Sequence, residues 1–261
     1  MTRPWLVATT SAATTAATLG ALRLRPPGEA WLRHNFRNRA VHLGAGPAAA
    51  LGAIAGVAAA GWAPRALTAI TVGGGLGLYD DLAGATHARG LRGHAAAFAR
   101  GEVTTGLVKL VGLLAAGLVA APPRPGRGQR ESRIADAALI AGTANLVNLL
   151  DLRPGRALKV VALAAAPLAA AGERTATALL GSTAALLPGD LGERHMLGDC
   201  GANALGAALG LAMVERLGPV ARIGALSTIV ALTVASERTS FSAVIERQPV
   251  LAALDNIGRR P

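Results

Sequence analysis

Acidic and amide side chains lie at the ends of apolar segments in three parts of this chain. They are Asp80 and Asp81, then Asn145, Asn148 and Asp151, and then Asp199. Carboxylate and carboxamide oxygens suit Mg²⁺, and adjacent carboxylates need a cation or a proton between them. Lys109, five residues inside an apolar run, needs an anionic partner. Together these groups suit transfer of a phosphoryl-linked group, in which catalysis depends mainly on positioning and charge neutralisation.

The elements that carry these residues are predicted from composition. The chain has 261 residues, of which 52% are hydrophobic and 33 are Gly, and its mean hydropathy is +0.42. It is therefore too apolar for an ordinary soluble domain. Abundant Ala and Gly allow helices to approach closely in a bilayer, where packing replaces the hydrophobic effect. We predict an all-α fold, a polytopic transmembrane helical bundle that forms one domain over residues 1–261.

About nine apolar runs are long enough, or nearly so, to cross a bilayer as helices. They cover residues 4–22, 43–63, 65–79, 104–121, 134–150, 157–171, 174–188, 201–215 and 219–235. The first is interpreted as a retained helix, because only Arg3 precedes it and no clear cleavage site follows. The bias of basic residues between loops places the amino terminus outside and the carboxyl terminus in the cytoplasm.

All segments rich in acidic or amide residues then fall on the cytoplasmic side. They are residues 79–84, 145–151, 195–206 and 236–247. Acidic groups at a membrane boundary are costly and usually mark a site. The sequence therefore predicts one active site at the cytoplasmic face of the cell membrane.

The order of four motifs is similar to that of a known family. The motifs are "DD" at 80–81, "RGEVTTGLVKL" at 100–110, "NLVNLLD" at 145–151 and "LGDCG" at 197–201. They resemble the polyprenyl-phosphate sugar-1-phosphate transferases, which include phospho-MurNAc-pentapeptide translocase and the undecaprenyl-phosphate GlcNAc-1-phosphate transferases. The resemblance covers residues 33–247. It implies an Mg²⁺-dependent membrane enzyme that moves a sugar 1-phosphate from a UDP-sugar to undecaprenyl phosphate, releasing UMP, in cell-envelope glycan assembly.

The resemblance also implies roles for the matching residues. Asp80 and Asp81 would orient or deprotonate the lipid phosphate, and Lys109 would contact phosphate as the third catalytic group. Asp199 and Asn148 would hold Mg²⁺. The residues predicted to bind substrate are Asn145, Asn148, Asp151, His94, Glu237 and Arg238.

The sequence departs from the family pattern at three points. Leu152 and Arg153 follow Asp151, so a second acidic residue is missing, "GDCGA" replaces Gly-Asp-Thr-Gly-Ser, and "ERTSF" at 237–241 stands where relatives have a histidine-rich loop. These departures favour an alternative function. In that alternative the chain is a catalytically lapsed relative that binds polyprenyl phosphate or partner proteins as a scaffold.

The candidate residues also have structural interpretations. The aspartate pair could cap a helix in water, the two asparagines could join helices, and Lys109 could extend towards the membrane surface. Asp151 could pair with Arg153 or Arg156. The basic segment around His94 could contact lipid phosphates nonspecifically, and residues 31–47 could form a lipid-surface loop or contribute to the site.

The net charge of +11 bears on the partners. Basic residues are scattered between apolar runs without interleaved aromatics, which favours membrane lipid, polyprenyl phosphate and a UDP-sugar over nucleic acid. Cys200 is the only cysteine, so an internal disulfide is excluded, and a homodimer is compatible with the sequence. Asp190 matches no motif and is expected to be dispensable.

Overall fold

The computed structural model describes residues 3–25, 27–83, 90–124 and 128–259, and helices dominate it. The helices are α1 Pro4–Leu24, α2 Ala45–Ala59, α3 Pro64–Ala83, α4 Gly90–Ala99, α5 Thr105–Ala120, α6 Gln129–Leu150, α7 Arg156–Ala170, α8 Arg174–Leu191, α9 Gly198–Arg216, α10 Pro219–Ser236, α11 Phe241–Arg247 and α12 Pro249–Asn256. A 3₁₀ turn, Glu29–Trp31, and a two-stranded antiparallel sheet, β1 Leu32–His34 and β2 Ala40–His42, separate α1 from α2.

The core of every one of the nine apolar runs is helical, which confirms the predicted helical class. The nine correspond to α1 to α3 and α5 to α10, whereas α4, α11, α12 and the hairpin were predicted as loops. Helix α6 also begins at Gln129, inside the predicted loop 121–133. The strands have three residues each, too short for an alternating pattern to be recognised, and their turn depends on Asn38 at φ +57.

Local sequence signals explain several helix starts. Proline occupies the first turn of α1, α10 and α12, where its missing N–H leaves no hydrogen bond unmade. Thr104, Glu173 and Ser240 cap α5, α8 and α11 by accepting hydrogen bonds from backbone N–H groups of the first turn. The helix boundaries are thus encoded locally, even where the helices are mainly Ala and Gly.

Helix α9 lies at the centre of the bundle and is buried over almost its whole length. Glycines permit the close packing around it. A Cβ at Gly77 of α3 would meet the backbone carbonyl of Asp199, and a Cβ at Gly206 of α9 would lie 2.7 Å from Cα of Ala144 in α6. The glycines thus let α3 and α6 approach the α9 backbone directly, and no larger residue fits at these two positions.

Helix termini gather at two ends of the bundle. At one end, Gly155 N, before α7, donates to Asp190 Oδ2, near the end of α8, over 2.6 Å. At the other end, Arg174 Nη1, at the start of α8, donates to Ala60 O, after α2, over 2.8 Å. We call the first the site end, because the carboxyl termini of α3 and α6 and the amino termini of α5 and α9 also meet there.

Among the described helices, only α10 is both long and apolar enough to cross a membrane. Its mean hydropathy is 1.5, and 11% of its residues are buried. Helices α2 and α5 are apolar but shorter. The polytopic arrangement with nine spans therefore stays a prediction.

Candidate active site

Lys109 lies between two of the predicted catalytic and metal-binding carboxylates. Its Nζ is 2.6 Å from Asp80 Oδ2 and 2.5 Å from Asp199 Oδ2. The exposed fractions of the three side chains are 11% for Lys109, 16% for Asp80 and 28% for Asp199. Helices α5, α3 and α9 therefore contribute one charged group each to a largely buried set of ion pairs, from which removal of one partner is costly.

Asn148 of α6 completes this set. With its amide oriented to suit both neighbours, Asn148 Nδ2 donates to Asp199 Oδ1 over 2.9 Å and Asn148 Oδ1 accepts from Lys109 Nζ over 3.2 Å. We call Asp80, Lys109, Asn148 and Asp199 the Lys109 cluster. The three hydrogen-bond donors of the ammonium are directed at the other three members.

The two adjacent aspartates have different surroundings. Asp80 belongs to the Lys109 cluster, whereas the Asp81 carboxylate accepts from Asp199 N over 3.1 Å and from Cys200 N over 2.9 Å. Arg33 of β1 donates to the backbone carbonyl of Asp81. Backbone N–H groups in the first turn of a helix lack intrahelical partners, so Asp81 fixes the start of α9 and thereby the position of Asp199.

Asp151, directly after α6, also supports the start of α9. Its Oδ2 accepts from Gly198 N over 2.8 Å, and Gly198 has φ +66, which favours glycine. The Asp151 side chain is buried, and burial raises its pKa well above the usual range, an effect that the nearby Asp190 carboxylate adds to. Asp151 thus bonds to Gly198, the residue directly before Asp199 of the Lys109 cluster.

The two arginines that follow Asp151 pair with the carboxyl-terminal segment. Arg153 Nη2 lies 2.9 Å from Glu246 Oε1, and Arg156 Nη2 lies 2.8 Å from Asp255 Oδ2. Among the described contacts, neither arginine is ion-paired with Asp151. The local pairing considered for Asp151 is therefore replaced by these longer-range pairs.

The other predicted substrate-binding residues lie outside the Lys109 cluster. Asn145, one turn before Asn148, is half-buried. Glu237 follows α10, and its carboxylate lies so close to Gly90 that a Cβ there would contact its oxygens. Arg238 is exposed. His94 falls in α4, but its side chain is outside the part that the structure describes.

A cavity of about 280 Å³ at the site end lies beside Asp151. Its walls come from the hairpin, the α6–α7 loop and the α8–α9 loop, and include Phe36, Arg153 and His195. The Arg153 guanidinium carbon is 4.3 Å from the centroid of the Phe36 ring. Sequence reasoning left segment 31–47 as either a lipid-surface loop or part of the site, and only the fold brings Phe36 next to Arg153.

His195 is buried in the wall of that cavity. Its Nε2 donates to Leu186 O over 3.2 Å, and its Nδ1 accepts from Arg23 Nη2 over 3.0 Å. Burial lowers the pKa of His195 to about 4, and the nearby Arg23 guanidinium adds to that effect. His195 is therefore neutral at pH 7 and links the end of α1 to the α8–α9 loop.

The residues that could hold a metal are the oxygen donors of the Lys109 cluster. No group of three or more His, Cys, Asp or Glu side chains is arranged to hold a metal ion within the described residues. Two carboxylates and one carboxamide oxygen nevertheless surround one cationic atom, Lys109 Nζ. This donor set fits Mg²⁺ in its chemistry, provided that the ammonium moves aside.

Neither protein-family models nor curated proteins give a match to this chain. The resemblance to the sugar-1-phosphate transferases therefore stays a prediction from the four sequence motifs.

Proposed function

We propose that this chain is a polytopic membrane enzyme that transfers a sugar 1-phosphate from a UDP-sugar to polyprenyl phosphate at the cytoplasmic face. The observation that carries the proposal is the Lys109 cluster. Its members come from four motifs between positions 80 and 199, and they meet at one end of the bundle over 2.5–3.2 Å. Motif residues with only structural roles have no need to converge on one point.

A membrane environment is supported by the outer surface of the bundle. Large apolar side chains are exposed on α5 and α10 at Val108, Val111, Leu114, Leu118, Val119, Val220, Ile223, Val230, Leu232 and Val234. The interior combines leucines with many small residues and with buried hydroxyls, such as Ser11 of α1, which lies 2.9 Å from Ser182 of α8. Apolar outside and small or polar inside is the pattern of helices packed in lipid.

The proposed reaction is a phosphoryl transfer. An oxygen of the lipid phosphate attacks the β-phosphorus of the UDP-sugar, and the bond from that phosphorus to the bridging oxygen breaks, so that UMP leaves with the electron pair. Asp80 orients the lipid phosphate and accepts its proton when it carries one. Lys109 contacts phosphate after exchanging one of its three hydrogen bonds within the cluster. Asp81 acts as a positioning residue, because its carboxylate is engaged by α9.

Charge balance supports a divalent cation in this site. The Lys109 cluster holds two carboxylates and one ammonium and is therefore net negative, although both proposed substrates are anionic. Mg²⁺, when held by Asp199 and Asn148, would neutralise the pyrophosphate of the donor. The cavity beside Asp151 offers space for the nucleotide part of the donor next to Phe36 and Arg153.

The test is transfer of labelled sugar phosphate from a panel of UDP-sugars to undecaprenyl phosphate by purified protein with Mg²⁺. Formation of lipid-linked sugar pyrophosphate together with UMP supports the enzyme. Binding of undecaprenyl phosphate with no turnover on any donor would favour the scaffold alternative, which the missing acidic residue after Asp151 supports.

A further inference from the structure

The short helix α12 is attached to the outside of the bundle at the site end. Arg156, the first residue of α7, forms two hydrogen bonds with the Asp255 carboxylate over 2.9 and 2.8 Å. One turn further along α7, Lys159 Nζ donates to Asp255 O over 2.7 Å. The last turn of α12 is therefore bonded to the first turn of α7, where the apolar part of α7 begins.

The side of α12 that carries no such bonds is apolar and exposed. Val250, Leu251 and Leu254 have exposed fractions of 73%, 44% and 55%, and Ile257, directly after the helix, is also exposed. Residues at i, i+1, i+4 and i+7 share one helical face. The chain thus presents a continuous apolar stripe on a helix whose other side is fixed by ion pairs.

The surroundings of the stripe are basic. The segments that hold α11 and α12 carry Arg153, Arg156, Lys159 and Arg259. Arg156 and Arg259 are largely buried and both pair with Asp255, whereas Arg153, which pairs with Glu246, and Lys159 are half-buried. These four basic and two acidic groups leave an excess of positive charge at this end of the chain. An apolar stripe bordered by excess basic charge is the pattern of a helix lying on an anionic lipid surface.

We propose that α12 is an interfacial anchor that inserts Val250, Leu251 and Leu254 into the lipid surface at the site end, with the basic groups near anionic headgroups. The inference rests on the proposed membrane bundle. It adds a role for the carboxyl-terminal segment, because Glu246 of α11 holds Arg153 over 2.9 Å and Arg153 lines the cavity beside Asp151. Lipid contact by α12 would fix the neighbouring helix α11, and Glu246 of α11 would then hold Arg153 of the α6–α7 loop at the cavity wall.

The test uses the full chain in lipid nanodiscs with about one third anionic phosphatidylglycerol. A fluorophore is attached in turn at Val250→Cys on the stripe, at Asn256→Cys on the opposite side of α12, and at Val230→Cys on the exposed face of α10. The wild-type protein controls for background labelling, because its only cysteine, Cys200, is buried. Quenching is measured with spin-labelled lipid and with aqueous iodide.

The anchor predicts lipid quenching at least about twofold stronger at position 250 than at 256, and the reverse order for iodide. Strong iodide quenching at 250, or protection there from both quenchers because protein covers the stripe, would overturn the anchor. Position 230 tests the bundle separately. Lipid quenching at 230 but not at 250 removes only the anchor. Lipid quenching at 250 but not at 230 contradicts the spanning bundle, and with it the anchor as proposed, and leaves α12 as a peripheral lipid contact.

Discussion

The Lys109 ammonium on α5 lies 2.5 Å from the Asp199 carboxylate on α9, although ninety residues separate them in the chain. Lys109→Met leaves this carboxylate and Asp80 facing each other without a cation. Because an uncompensated buried charge costs about 3–5 kcal/mol, we expect a large loss of stability and no transfer. Thermal unfolding and product formation measure the two effects.

A second variant separates stability from catalysis at Lys109. Adding Asp80→Asn to Lys109→Met removes one of the opposed charges, so it should recover part of the stability but none of the transfer. Arg130→Met, on an exposed residue at the opposite end, is the matched control and should leave both unchanged. Full transfer by the double variant would exclude Lys109 from the reaction.

Asp199 is a predicted metal ligand and has the more accessible of the two carboxylates in the Lys109 cluster. Asp199→Asn keeps the shape of the side chain but removes its charge, so transfer should fall by about 10²–10³-fold. Activity is measured across a Mg²⁺ titration, with Glu131→Gln, an exposed residue at the opposite end, as the control. Wild-type activity at every Mg²⁺ concentration would refute the metal assignment.

The same region shows where sequence reasoning stops. The helices, and the meeting of motif residues at one end of the bundle, were predictable, because apolar runs and polar breaks are local features. The difference between Asp80 and Asp81 was not, because it depends on which side of α3 faces the start of α9. Asp190 was expected to be dispensable because it matches no motif, but it is buried and accepts from Gly155 N over 2.6 Å, a structural role that the local sequence did not indicate.

Gly77 tests the packing that places Asp199. A Cβ there would overlap the backbone carbonyl of Asp199, whereas a Cβ on Gly75 of the same helix has nothing within 4 Å. Gly77→Ala should therefore separate α3 from α9, lowering thermal stability and abolishing transfer. Gly75→Ala should be neutral or stabilising by up to about 1 kcal/mol, because Ala favours helix. Similar behaviour of the two variants would contradict the close contact.

Membrane orientation can be tested at the two ends of the bundle. The loops at 60–63 and 171–173 share the end opposite to the site, since Arg174 bonds to Ala60. If the carboxyl terminus is cytoplasmic, a reporter fused there should be active in the cytoplasm, and tags inserted in those two loops should both be external. Tags detected on opposite sides of the membrane would contradict the antiparallel bundle.

Asp151 predicts a pH dependence of stability. Because burial raises its pKa in the folded state, the folded chain retains a proton that the unfolded chain loses above its usual value of 3.8. The stability that this retained proton gives the folded chain is therefore fully present below pH 3.8. It is lost as pH rises through the pKa of Asp151 in the folded state. Asp151→Asn keeps an oxygen that can accept from Gly198 N and has no proton to lose.

The variant should accordingly match the wild type at low pH and become progressively more stable than it as pH rises. Thermal unfolding midpoints of the two proteins across pH 4–9 measure the difference, and Glu131→Gln, which is exposed, should follow the wild-type curve. Transfer by Asp151→Asn, measured at a pH where both proteins are folded, separates the structural role from substrate contact. Parallel stability curves would show that the raised pKa of Asp151 does not govern the pH dependence.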